Sequence, residues 1–176
     1  PWFAQVNAGL GVTGSWTRLN DAGGAGVDAE GYTFDQFVTG SLQVSLFPAS
    51  RFPFEAHVDV TDSRSDAALA ALPAARWTRV GFSQAWRPAD APYALSGGYD
   101  HASQDGVLGT DTQDSIYLTG DARWKDNTLS GTVNYNSNGR GSTGEEAAYG
   151  SAYLRHSYLP APAWSMESTA NLTRNT

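Results

Sequence analysis

The sequence predicts an all-β fold: an antiparallel up-and-down transmembrane β-barrel, or a segment of a larger one, in a single domain over residues 1–176. Three observations predict it. Apolar and polar residues alternate with a period of two along most of the chain, which is the side-chain period of a β-strand. Aromatic residues gather at the ends of the alternating stretches. The connections between stretches alternate between short and long.

Nine stretches alternate. In the first, over 2–16, Trp2, Ala4, Val6, Ala8, Leu10, Val12 and Trp16 share one face, and Gln5, Asn7, Gly9, Gly11, Thr13 and Ser15 share the other. The second, over 32–46, sets Tyr32, Phe34, Val38, Leu42, Val44 and Leu46 against Thr33, Asp35, Thr39, Ser41, Gln43 and Ser45. The third sets Phe52, Phe54, Ala56, Val58 and Val60 against Glu55, His57, Asp59 and Thr61. In the fourth, over 77–86, Val80, Phe82 and Trp86 oppose Arg79, Gly81, Ser83 and Ala85, and Trp77 falls on the wrong parity.

In the fifth stretch Tyr93, Leu95, Gly97 and Tyr99 oppose Ala94, Ser96, Gly98 and Asp100. The sixth has Ile116, Leu118, Gly120, Ala122 and Trp124 on one face and Thr119, Asp121 and Arg123 on the other. The seventh opposes Leu129, Gly131, Val133 and Tyr135 to Ser130, Thr132, Asn134 and Asn136. The eighth, over 147–158, is ambiguous, with Tyr149 and Tyr153 on one parity and Ala152, Leu154 and Tyr158 on the other. In the ninth Trp164, Met166, Ala170 and Leu172 oppose Glu167, Thr169, Asn171 and Thr173.

Short turns are expected near 47–51, 87–92, 125–128 and 159–163, and long polar loops at 19–31, 61–76, 101–114 and 136–146. The loop over 65–75 has the alanine content for one short helix. With short turns at one end, the aromatic residues form two girdles. Trp2, Phe52, Trp86, Tyr93, Trp124, Tyr158 and Trp164 fall at the short-turn end, and Trp16, Trp77, Tyr32, Tyr99 and Tyr135 at the long-loop end, where Trp77 needs a bulge or points inward. Strands of about 10–14 residues at roughly 3.3 Å each, tilted by about 40°, rise roughly 25–35 Å, the height of a membrane's apolar band with its girdles.

Composition narrows the class. Charged residues make up 16% of the chain, against about 25% in ordinary soluble domains. Lys125 is the one lysine, so the usual charged coat of a soluble sheet is missing. A net charge of −7 without a basic cluster argues against a nucleic-acid partner. The absence of cysteine excludes a disulfide scaffold and thiolate metal sites. No apolar run nears the roughly 18 residues of a membrane helix. The chain opens in mid-pattern at Pro1-Trp2, as a processed form or an excised piece would.

These features together resemble the Gram-negative outer-membrane β-barrel superfamily. The resemblance is architectural and covers nearly the whole chain. It implies an outer-membrane location, lipid and lipopolysaccharide as partners, and a periplasmic or lumenal protein partner. The implied function is a porin-like pore, channel or export conduit. Alternatives are a structural barrel that sheathes or anchors partner proteins of polymer export or electron transfer, and a soluble ligand-binding β-barrel. Two departures stand out. No aromatic residue closes the final strand, which ends Asn171-Leu172-Thr173-Arg174-Asn175-Thr176. Nine is odd, whereas single-chain bacterial barrels have even strand numbers. Both favour a piece of a larger barrel, unless a split or missed strand makes the total eight or ten.

Signals for chemistry are thin, and no enzyme is expected. Glu55, His57 and Asp59 lie two apart on one face, where they would bind a metal, form a charged constriction, or simply line a hydrated face. With Arg79, Asp121, Arg123, Arg155 and Glu167 they are the candidate lumen residues that would select solutes by charge. The acidic loop at Asp105, Asp111 and Asp114 lacks the spacing of an EF-hand. No metal site, cofactor or nucleophilic triad is expected.

Overall fold

A computed structural model describes residues 3–19, 31–65, 75–106 and 109–176, with backbone alone for 17–19, 31–33, 64 and 65. Among the described residues nine strands follow the nine alternating stretches: β1 (Ala4–Leu19), β2 (Gly31–Leu46), β3 (Phe54–Ser65), β4 (Ala75–Trp86), β5 (Tyr93–Gly106), β6 (Gly109–Trp124), β7 (Asn127–Arg140), β8 (Glu145–Ala161) and β9 (Trp164–Asn175). They form one sheet in sequence order, and every neighbouring pair is antiparallel.

The register sorts the side chains onto two faces. Ala8, Leu42, Val58 and Val80 follow one another across β1 to β4. Tyr99, Ile116 and Tyr135 continue that face across β5 to β7. On the other face a single row runs Asn7, Gln43, His57, Gly81, Asp100, Ser115, Asn136, Tyr149 and Asn175, one residue from each strand. The eighth strand resolves in the same way: Ala152, Leu154 and Tyr158 join the apolar face, and Tyr149 and Tyr153 the polar one.

The sheet is open. β1 pairs only with β2, and β9 only with β8, among the described residues. This overturns the expected transmembrane barrel. An odd number of antiparallel strands leaves β1 and β9 running in the same direction. Closing the sheet would need a parallel pair in a wholly antiparallel ladder. An open sheet encloses no lumen, so the pore, conduit and porin expectations fall with the barrel. The sheathing barrel and the ligand-binding barrel fall for the same reason. Both edges carry rows of unpaired N–H and C=O groups, which hydrocarbon cannot satisfy. The expected outer-membrane location, with its lipid and lipopolysaccharide partners, therefore loses its premise. No described helix is long and apolar enough to cross a membrane.

Two expected loops are largely strand. β5 and β6 extend to Gly106 and from Gly109, and β7 and β8 extend to Arg140 and from Glu145. Beyond the apolar band both faces carry polar residues, so hydropathy loses its alternation while the ladder continues. The expected loops near 19–31 and 61–76, the short helix and Trp2 fall wholly or mainly outside the described residues, as does the Tyr32 side chain. The two-residue turn Lys125-Asp126 joins β6 to β7, with Lys125 at φ 47°, the positive φ that a tight hairpin requires.

The polarity of burial is inverted. No described hydrophobic residue is buried, and Leu10 is 82% exposed, while the polar Ser45 is only 7% exposed. The aliphatic side chains stand half-exposed or exposed on their face of the sheet, and Ser45 is the one buried polar side chain among the described residues.

Candidate functional site

The polar face collects every candidate selectivity residue. Glu55, His57, Asp59, Arg79, Asp121, Arg123, Arg155 and Glu167 all project from it by register. Only some of them meet. His57, Gly81 and Asp100 are directly opposite one another on β3, β4 and β5. Their contact depends on the missing side chain between them: a Cβ at position 81 would collide with Asp100 Oδ1 and lie 2.6 Å from His57 Cε1. The gap lets His57 Nε2 stand 3.0 Å from Asp100 Oδ1, without the alignment of a hydrogen bond.

Arg79 completes the group. Its Nε and Nη2 each lie 3.0 Å from Asp100 Oδ1, and Nε donates a hydrogen bond. Asp59 faces Arg79 directly in the register, yet the guanidinium turns to Asp100 instead. Alternation alone puts Asp100 on this face but carries no sign that it anchors the cluster. The absent side chain at Gly81 was the available signal. Further along, Ser115 Oγ donates to Asn136 Oδ1 at 2.8 Å, and Arg155 Nη2 donates to Glu167 Oε2 at 2.8 Å. Arg155 is held above its usual value chiefly by that bond. Glu55, Asp121 and Arg123 lie apart from these clusters.

A second cluster lies on the apolar face, past the end of its aliphatic band. Asp114 Oδ1 accepts from Tyr99 Oη at 2.5 Å and meets His101 Nδ1 at 2.8 Å. The Tyr99 bond, then the His101 bond, holds the Asp114 carboxyl below its ordinary value. The same Tyr99–Asp114 bond raises the phenol. Ionised, Asp114 has only acceptors, so His101 presents its protonated Nδ1 to it. These bonds explain why the ladder persists where alternation stops.

The aromatic residues occupy several settings. At the short-turn end Phe52 stacks on Trp86 at 6.2 Å, and Trp86 meets Tyr93 edge-on at 5.1 Å. Tyr158 and Trp164 pair at 6.0 Å, and Trp124 stacks on His156 at 6.3 Å. At the opposite end Trp16 lies 4.5 Å from Phe34, and Tyr135 stands opposite Ile116. Trp77 projects from the polar face, opposite Thr61 and Gln104.

No protein-family model matches the chain, and no curated protein matches it at a significant level. Among the described residues no group of three His, Asp or Glu side chains is placed to hold a metal ion. On the polar face Arg79–Asp100, Ser96–Thr119, Ser115–Asn136 and Arg155–Glu167 bond to each other. The apolar face holds a shallow trough of about 490 Å³, where Gly120 and Gly131 face each other between Leu95 and Leu154.

Proposed function

We propose that the protein is a non-catalytic structural sheet that works as an assembly of its own copies. One observation carries this reading: the whole aliphatic face is uncovered, with no buried hydrophobic residue among those described. Hydrophobic burial is the main force that opposes chain entropy, so such a sheet gains its stability when that face is covered.

A second copy is the occupant that the dimensions favour. Nine strands about 4.8 Å apart, with an apolar band about seven residues tall, give a face of roughly 900 Å². A stable dimer needs about 800 Å² from each partner. Two such faces stacked about 10 Å apart make an aligned sandwich.

The edge β1 supports the same partner. It runs 16 residues in unbroken register with β2, and its first charged residue is Arg18. Natural sheets blunt such edges with charge, proline or bulges. β9 is blunted: it carries Glu167 and Arg174, and a register shift interrupts its pairing with β8. Two β1 strands related by a two-fold axis normal to the sheet would pair antiparallel and keep both faces continuous.

Sedimentation tests this. One face contact and one edge contact together make four copies, so the expected mass is about four times 18.7 kDa. Replacing Leu118 and Leu154 together by Gln should halve it while the β-sheet circular dichroism is retained. A stable 18.7 kDa monomer for the unaltered chain would overturn the reading.

A further inference from the structure

We propose that the polar face carries a binding cleft for a neutral saccharide, built around Trp77. The starting point is the parity of that residue. Trp77 stands on the face of serines, asparagines and glycines, opposite Thr61 and Gln104, and remains 36% exposed. It lines a cavity of about 660 Å³, which is within the range of sites for small organic ligands.

Register organises this cavity. Trp77, Gln104, Asp111, Arg140 and Glu145 stand opposite one another on five successive strands. The row spans four strand spacings, roughly 19 Å. The adjacent row sets two amides between two alanines: Ala102, Gln113, Asn138 and Ala147. The alanines leave room over the floor, and the amides offer a donor and an acceptor from one planar group.

This combination suits a sugar ring. The indole takes the apolar C–H face of a pyranose, while planar amide, carboxylate and guanidinium groups bond its hydroxyls in pairs. Such groups discriminate strongly for a hydroxyl-bearing ligand, because a ligand without hydroxyls leaves them unpaired. The charges at the rim select further. Asp111 and Glu145 outnumber Arg140, so an anionic polymer is repelled and a neutral one is favoured. The cleft lies on the face opposite the proposed assembly surface, so it stays open when that surface is covered.

Tryptophan fluorescence titration with two neutral hexasaccharides, one α-linked glucan and one β-linked glucan, tests this. At least one should give a saturable change. Trp77→Ala should weaken it tenfold or more, and Trp77→Phe should retain most of it. Asn138→Ala should weaken it several-fold, and Trp86→Phe, on the other face, should leave the affinity unchanged. Circular dichroism of each variant controls for folding. No binding of either glucan at millimolar concentration would overturn the proposal. So would binding that survives Trp77→Ala, or tighter binding of hexalysine, which would mark the rim as a site for a cationic peptide.

Discussion

His57 and Asp100 meet at 3.0 Å although a complete strand, β4, runs between them. The contact exists because Gly81 presents no side chain at the crossing point. Neighbouring glycines provide graded controls. Gly81→Ala forces apart the ends of two side chains that can swing away, so it should cost about 1 kcal/mol. Gly98→Ala should cost more, up to about 3 kcal/mol, because its Cβ would meet the Phe82 carbonyl at 2.8 Å and the Tyr117 ring at 2.6 Å. A Cβ at position 40 would meet nothing within 4 Å, so Gly40→Ala should stabilise by about 0.5 kcal/mol. Urea denaturation of the three variants checks the order.

Acid should find the Tyr99–His101–Asp114 cluster first. The folded-state value of Asp114 is depressed below 3.8. Its stabilisation is therefore fully present above that ordinary value and is lost as pH falls through the lowered one. Tyr99 is raised above 10.0, so its contribution holds below that value and is lost as pH rises through the raised one. Asp114→Asn should flatten the acid limb of the stability profile, and Tyr99→Phe should flatten both limbs. Denaturation at about pH 3, 7 and 11 reads out each slope. An acid limb unchanged in Asp114→Asn would refute the assignment.

The Arg155–Glu167 bridge should matter little. Both side chains are about half exposed. An exposed pair is worth about 0–1 kcal/mol and weakens as salt screens it. A double-mutant cycle at low and high salt should give a coupling energy within that range that falls with ionic strength.

The edge contact can be separated from the face contact. Asn7 and Thr13 lie on the polar face of β1, so lysine there charges the edge and leaves the aliphatic face untouched. The variant carrying Asn7→Lys and Thr13→Lys should halve the assembly mass in sedimentation. An unchanged mass would exclude β1 as a pairing edge.

Much of this architecture was legible in the residues, because a period of two survives wherever one face is aliphatic. Val6 to Val12 or Leu118 to Ala122 permit no other register of faces. Past the band the signal disappears: Thr110, Thr112 and Asp114 are polar, and so are Asp111 and Gln113 between them, so these extensions of the strands read as loops. Closure was not legible at all. Strand patterns fix which face a side chain takes, but they leave open whether β1 meets β9. The odd strand count and the missing aromatic at the end of the final strand were the only hints that this chain does not close on itself. The same limit applied to the site. Glu55, His57 and Asp59 share a strand face, yet the cluster that forms joins His57 to Arg79 and Asp100 on other strands. That choice depends on Gly81, whose contribution is an empty space.

The uncovered aliphatic face is central to the proposed assembly, and thiol labelling tests it most directly. The chain has no cysteine, so single replacements at Leu118 and Leu154, and at Thr132 on the polar face, each report one surface. In the assembled protein the cysteines at 118 and 154 should react with a soluble maleimide at least tenfold more slowly than the one at 132. Equal, rapid reaction at all three positions in natively folded protein would show the aliphatic face standing open in water, and would contradict assembly through that face.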